Sequence, residues 1–81
     1  MNIILYTKKG CPWCAGVRDL LNERHIAFEE REVRENKNYF DELQQISNQT
    51  KTPTMIIDGI ILADTDRDAV EAYLKEKLST S

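Results

Sequence analysis

The chain has 81 residues, 41% of them hydrophobic, with 11 basic and 14 acidic side chains and a formal net charge of −3. That length accommodates a single domain, residues 1–81, and leaves no room for a second core or a long linker. The acidic balance and the mixing of signs exclude the clustered Lys and Arg of a nucleic-acid binder, and no apolar run is long enough to span a membrane.

Met1 to Thr7 opens the chain, and Asn2 to Thr7 is almost continuously apolar, the pattern of a central strand buried on both faces. The run is too short for the apolar core of an export signal, and Lys8 and Lys9 follow it rather than precede it. The expected compartment is therefore the cytoplasm, where a protein with two cysteines cycles between thiol and disulfide rather than keeping a lasting bond.

Cys11-Pro12-Trp13-Cys14 holds both cysteines of the chain. A helix opening near Pro12 puts Cys11 at the N-cap and Cys14 in the first turn. Positions i and i+3 of a helix lie about 5 Å apart, inside the window of roughly 4.4 to 6.8 Å that a disulfide tolerates, so the bond can open and close without refolding. The unpaired N–H groups of the first turn and the positive end of the helix dipole stabilise a thiolate at Cys11. In such motifs the thiol pKa falls from about 8.5 to roughly 3.5–7.5, and Lys8 adds a nearby positive charge. Pro12 fixes the helix entry without losing a needed donor, which argues against a pair of inert buried cysteines. Zinc needs three or four protein ligands, whereas His25 is the single histidine and stands at a helix end.

Val17, Leu20 and Leu21 continue at helical spacing until the polar stretch Asn22 to His25 closes the helix. Ala27 to Val33 reads as a short charged strand. Its run Glu29-Glu30-Arg31-Glu32 through Arg34-Glu35 is expected to form a solvated edge with no assigned function. Asn36 or Asn38 caps a second helix with apolar positions Tyr39, Phe40, Leu43 and Ile46, and Asn48 ends it. Thr54 to Ile57 and Ile60 to Leu62 are strand-like runs joined by Asp58-Gly59, a strong hairpin signal. Thr65 and Asp68 have capping-box spacing before a last helix with apolar positions Val70, Tyr73, Leu74 and Leu78, and the tail Ser79 to Ser81 is expected to fray. The order is β-α-β-α-β-β-α, an α/β domain with a four-stranded mixed sheet flanked by helices. General chirality makes its first β-α-β crossover right-handed.

Lys8, the Cys11-Pro12-Trp13-Cys14 motif, Thr52-Pro53 before a strand pair, and Asp58-Gly59 within that pair together resemble the dithiol glutaredoxins of the thioredoxin superfamily. The resemblance spans nearly the whole chain. It implies a thioredoxin-like fold and a thiol–disulfide oxidoreductase acting on protein disulfides or glutathione mixed disulfides. Cys11 would be the nucleophile and Cys14 the resolving thiol. It further implies a cis Pro53 facing the cysteines, with Thr52 offering its backbone to an extended substrate. Lys8, Trp13, Thr52, Pro53, Thr65 and Asp66 would line the substrate or glutathione site. The implied protein is a monomer with no metal and no bound cofactor, uses glutathione as co-substrate, and is reloaded by a glutathione reductase or thioredoxin reductase system.

Two departures from the family pattern bear on the reductant. Ala63-Asp64 replaces a Gly-Gly pair, adding a side chain and a negative charge near the expected γ-glutamyl carboxylate. The backbone N–H groups of Thr65 and Asp66 remain as expected carboxylate donors at the helix start. Lys51 stands where many glutaredoxins carry threonine, and Thr52-Pro53-Thr54 is similar to the thioredoxin wording. Direct reduction by thioredoxin reductase is therefore one alternative. Others are an iron–sulfur cluster shared between two subunits, disfavoured by Pro12 where cluster-binding relatives mostly have glycine, and a non-catalytic adaptor.

Overall fold

Among the described residues the elements are β1 (Ile3–Thr7), α1 (Pro12–Glu23), β2 (Glu29–Glu32), α2 (Lys37–Ser47), β3 (Thr54–Ile57), β4 (Ile60–Leu62) and α3 (Arg67–Ser79). The computed structural model describes residues 1–79, with side chains through residue 77. The packing expected of Leu78 and the tail at 80–81 lie outside the described residues. The sheet order is β2-β1-β3-β4, with β1 parallel to β2 and antiparallel to β3, and β3 antiparallel to β4.

The two-residue period of β1 divides the core between the sheet faces. Ile3 and Leu5 pack with Val17, Leu20 and Leu21 of α1, Met55 and Ile57 of β3, and Val70 and Leu74 of α3. Ile4 and Tyr6 face the other way, toward Leu43, Tyr39, Phe40 and Ile46 of α2. Helices α1 and α3 thus cover one face and α2 the other. Each fully buried leucine contributes about 2 kcal/mol relative to an exposed one.

Helix ends follow their local chemistry. At the end of α1, His25 takes a left-handed φ of 57°. Its N–H donates to the Asn22 carbonyl at 3.1 Å, and Ile26 N–H donates to the Leu21 carbonyl at 2.9 Å. That pair of bonds is a Schellman closure, so His25 serves through its backbone. Asn36, rather than Asn38, caps α2 by accepting from Asn38 N–H at 3.0 Å, and Asn48 ends it at φ 55°. Asp58 and Gly59 both have positive φ, 50° and 85°, as a tight hairpin of this twist requires.

Two expectations need correction. The cap of α3 lies one residue later than Thr65: the Asp66 carboxylate accepts from Ala69 N–H at 2.8 Å, and its carbonyl accepts from Val70 N–H at 3.0 Å. Strand β2 is indeed an edge, but it is shorter than Ala27 to Val33 and not merely solvated. In its pleated conformation successive side chains turn to opposite sheet faces. Arg31 lies over the Tyr6 and Tyr39 rings, 5.9 and 5.5 Å from their centroids, and pairs with Glu42. Glu30 turns toward α1, where Arg18 and Thr7 donate to it.

Candidate active site

The register Tyr6↔Thr54 brings the end of β1 beside the start of β3. The loop leaving β1 and the loop entering β3 therefore meet at one end of the sheet. Gly10, at φ 83°, makes the sharp turn from β1 into α1. The Thr52–Pro53 peptide on the facing loop is cis. Cys11, Trp13, Thr52 and Pro53 line one open groove of about 640 Å³, with Lys8, Thr65 and Asp66 on its walls. Cys14 lies underneath, fully buried.

Both cysteines are free thiols. Cys11 is the N-cap of α1, in extended conformation, and its Sγ accepts from Cys14 N–H at 3.3 Å. Thr52 approaches from the other loop: its hydroxyl donates to Cys11 Sγ at 3.9 Å, and the Cys11 thiol donates to the Thr52 carbonyl at 3.9 Å. Burial acts to raise the Cys11 thiol, but hydrogen bonds from the Cys14 thiol, Cys14 N–H, the Thr52 hydroxyl and Trp13 N–H outweigh it. The net pKa is below the ordinary thiol value. Burial first, and then its hydrogen bond with Cys11, push the Cys14 thiol up to about 11. One thiol is prepared to ionise and its neighbour is held protonated.

Hydrogen bonds, rather than the Lys8 ammonium, dominate the lowering of Cys11. Lys8 enters through its backbone, with its carbonyl accepting from Cys11 N–H at 3.1 Å, while its side chain is exposed along the groove. Trp13 is 66% exposed and presents its ring to the solvent beside the cysteines. At the far wall the geometry differs from expectation. Thr65 N–H is committed to the Pro53 carbonyl at 2.8 Å, so it is not a free carboxylate donor. Asp64 has a φ of 48°, its N–H donates to Thr54 Oγ1 at 3.2 Å, and its carboxylate lies 4.0 Å from Lys51 Nζ. Among the described residues no group of three or more His, Cys, Asp or Glu converges to hold a metal. Among the same residues no helix is long and apolar enough to cross a membrane.

A family model described as Glutaredoxin matches residues 3–62, which include both cysteines, the cis-proline loop and the hairpin. The chain belongs to the glutaredoxin family. Glutaredoxin 3 of Escherichia coli strain K12 is 32% identical over 58 residues, covering 72% of this chain and 70% of that protein. An uncharacterised glutaredoxin-like 8.6 kDa protein in a rubredoxin operon of Clostridium pasteurianum is 24% identical over 74 residues, 91% of this chain and 99% of that one. Among solved structures, the thioredoxin-like protein BC3987 matches with a TM-score of 0.79 and 28% identity, over 86% of this chain and 96% of that one. This glutaredoxin is a redox protein with a thioredoxin-like fold.

The sequence reading did not single out Thr7, Arg18 or Glu30, which form a polar cluster on the α1 side of the sheet. One signal was available, since Arg18 follows Cys14 by four residues and so shares its helix face. Nothing local in the sequence shows that Glu30 reaches Arg18, twelve positions away.

Proposed function

We propose that this glutaredoxin is a dithiol thiol–disulfide oxidoreductase with Cys11 as nucleophile and Cys14 as resolving thiol. The observation that carries the reading is the opposite setting of two thiols three residues apart. Cys11 is partly exposed and lowered, whereas Cys14 is buried and raised to about 11. The Cys11 thiolate attacks a substrate disulfide, one sulfur leaves as a thiolate that takes a proton from solvent, and a mixed disulfide forms on Cys11. Cys14 then loses its proton and attacks Cys11 Sγ, releasing the second substrate thiol and leaving a Cys11–Cys14 bond. The protein dithiol is oxidised by two electrons and the substrate disulfide reduced by two. Lys8, Trp13, Thr52, Pro53, Thr65 and Asp66 form the substrate groove in this reading, with the aromatic face of Trp13 holding the part of the substrate next to its disulfide.

Glutathione is the co-substrate that the family supports. A second reading, reduction by a thioredoxin reductase, is favoured by the far wall of the groove. There Thr65 N–H is bonded internally, and Asp64, 4.0 Å from Lys51 Nζ, adds a carboxylate to the groove lining that disfavours an anionic peptide. Both readings place the protein in a reducing compartment such as the cytoplasm, where dithiols are regenerated.

The test is turnover of a glutathione mixed disulfide and of a protein disulfide by the Cys11→Ser and Cys14→Ser variants. Cys11→Ser is expected to lose both reactions. Cys14→Ser is expected to keep the glutathione reaction and lose reduction of the protein disulfide. Retained turnover in Cys11→Ser would overturn the assignment of the nucleophile. Running the unmodified protein with glutathione plus glutathione reductase, and separately with thioredoxin reductase, decides between the reductants.

A further inference from the structure

The loop that carries Thr52 and Pro53 belongs to neither helix nor strand, since α2 ends at Ser47 and β3 begins at Thr54. What holds such a loop decides how firmly it presents its backbone to a substrate, because a loop ordered in advance costs less to order on binding. Two side chains close this one. Gln49 Oε1 accepts from Lys51 N–H at 2.6 Å, and the Thr54 hydroxyl donates to the Lys51 carbonyl at 2.8 Å. Gln49 Nε2 in turn donates to Thr54 Oγ1 at 3.1 Å. Both polar groups of the Lys51 backbone are thus gripped by side chains that are bonded to each other.

This clasp is anchored on both sides. Gln49 Nε2 also donates to Ser47 Oγ at 2.8 Å, and the Ser47 hydroxyl donates to the Leu43 carbonyl of α2 at 2.6 Å. Thr54 is fully buried, and its Oγ1 accepts from the N–H of Asp64, on the far wall of the groove, at 3.2 Å. With one bond donated and two accepted, the hydroxyl works at its full capacity. Orientation follows from the grip on Lys51. The Lys51–Thr52 peptide is trans, so its carbonyl and its N–H point to opposite sides. The carbonyl is turned to the buried Thr54, which turns Thr52 N–H the other way, on a residue that lines the groove. Among the described residues nothing accepts from that N–H. The hydroxyl and carbonyl of the same Thr52 lie 3.9 Å from Cys11 Sγ.

We propose that Gln49 and Thr54 are positioning residues whose clasp on Lys51 holds Thr52 N–H in place for a backbone carbonyl beside the substrate disulfide. The clasp thereby favours peptide disulfides over small disulfides that have no backbone to pair. The proposal rests on the reading of Cys11 as nucleophile and of Thr52 as part of the substrate groove. In the step it assists, the Cys11 proton passes to solvent and Cys11 Sγ bonds to the peptide sulfur. The peptide disulfide breaks, and its other sulfur leaves as a thiolate. The substrate disulfide is the oxidant throughout.

Two probes that release the same chromophore, 5-thio-2-nitrobenzoate, test this in a stopped-flow absorbance experiment with the reduced protein. One is the mixed disulfide of that chromophore with 2-mercaptoethanol. The other is its mixed disulfide with the central cysteine of a capped, uncharged, alanine-rich pentapeptide. The ratio of the peptide rate to the small-probe rate isolates pairing with the backbone from the reactivity of Cys11. A net hydrogen bond is worth a factor of roughly two to ten. Thr54→Val, which keeps the shape and removes the hydroxyl, is therefore expected to lower the ratio by roughly that factor. Thr54→Ser, which keeps the hydroxyl, should restore most of it. Gln49→Leu, at a half-buried loop position, should lower the ratio as well, and it alone decides if Thr54→Val fails to fold. An unchanged ratio in either folded variant, an equal slowing with both probes, or a Thr54→Ser variant as poor as Thr54→Val would each overturn the proposal. Absence of release from both probes in the unmodified protein would instead overturn the reading of Cys11, and this proposal with it.

Discussion

The buried Cys14 thiol should make the protein lose stability in alkali, by an amount that follows from its setting. Cys14 is fully buried and its pKa is raised to about 11, against about 8.5 for a thiol in the unfolded chain. A folded-state value above the unfolded one means that folding favours the protonated thiol. The resulting stability is complete below pH ~8.5 and is lost progressively as pH rises through about 11. Linkage over that interval amounts to roughly 3 kcal/mol, of which about 2 kcal/mol is lost by pH 10. The comparison is best made in a Cys11→Ser background, which prevents disulfide formation and removes the second thiol. Urea unfolding of Cys11→Ser and of the double variant Cys11→Ser/Cys14→Ala, followed from pH 7 to pH 11, gives the difference directly. Other alkaline titrations, such as those of the lysines and of Tyr6, cancel between the two proteins. Since burial is the main cause of the raised value and survives loss of Cys11, most of the fall should remain. A difference that stays flat to pH 11 would show that the Cys14 thiol is not held protonated, and the separation of the two thiols would fail with it.

Three further outcomes are expected. Asp64→Gly removes a carboxylate and eases a left-handed φ of 48°, so turnover with glutathione plus glutathione reductase should rise; an unchanged rate would remove Asp64 from the choice of reductant. Asp66→Ala deletes the side-chain cap on Ala69 N–H and should cost about 1 kcal/mol in urea unfolding. Gly59→Val puts a branched side chain at φ 85° in the β3–β4 turn and should cost at least about 1 kcal/mol by the same measurement.

The parts of this protein readable from sequence are those set by neighbours in the chain. The apolar run Ile3–Thr7 and the Asp58-Gly59 turn declare a central strand and a hairpin through period and turn chemistry. Cys11 and Cys14 declare a helix N-cap and its first turn through their spacing and the Pro12 between them, whereas the burial of Cys14 emerges only in the fold. The parts that were not readable depend on pairing across the fold. Glu30 and Arg31 look like one solvated charge run until the strand pleat puts them on opposite faces of the sheet and the register with Leu5 and Tyr6 of β1 fixes which face each takes. One then meets Arg18 and the other meets Tyr6. Thr65 looks like an open donor at a helix start until the Pro53 carbonyl, twelve residues earlier, is seen to take its N–H. Its neighbour Asp66 wins the cap because the turn into α3 places that side chain, not the Thr65 hydroxyl, below the first free N–H groups.

The most direct test of the central claim is the pH dependence of alkylation at each cysteine, with the site of modification read by mass spectrometry of the reduced protein. Cys11 should be modified first, with a midpoint below that of an ordinary free thiol, and Cys14 should stay unmodified until the pH approaches about 11. Two cysteines reacting together with a shared ordinary midpoint, or Cys14 reacting before Cys11, would contradict the division of labour between nucleophile and resolving thiol.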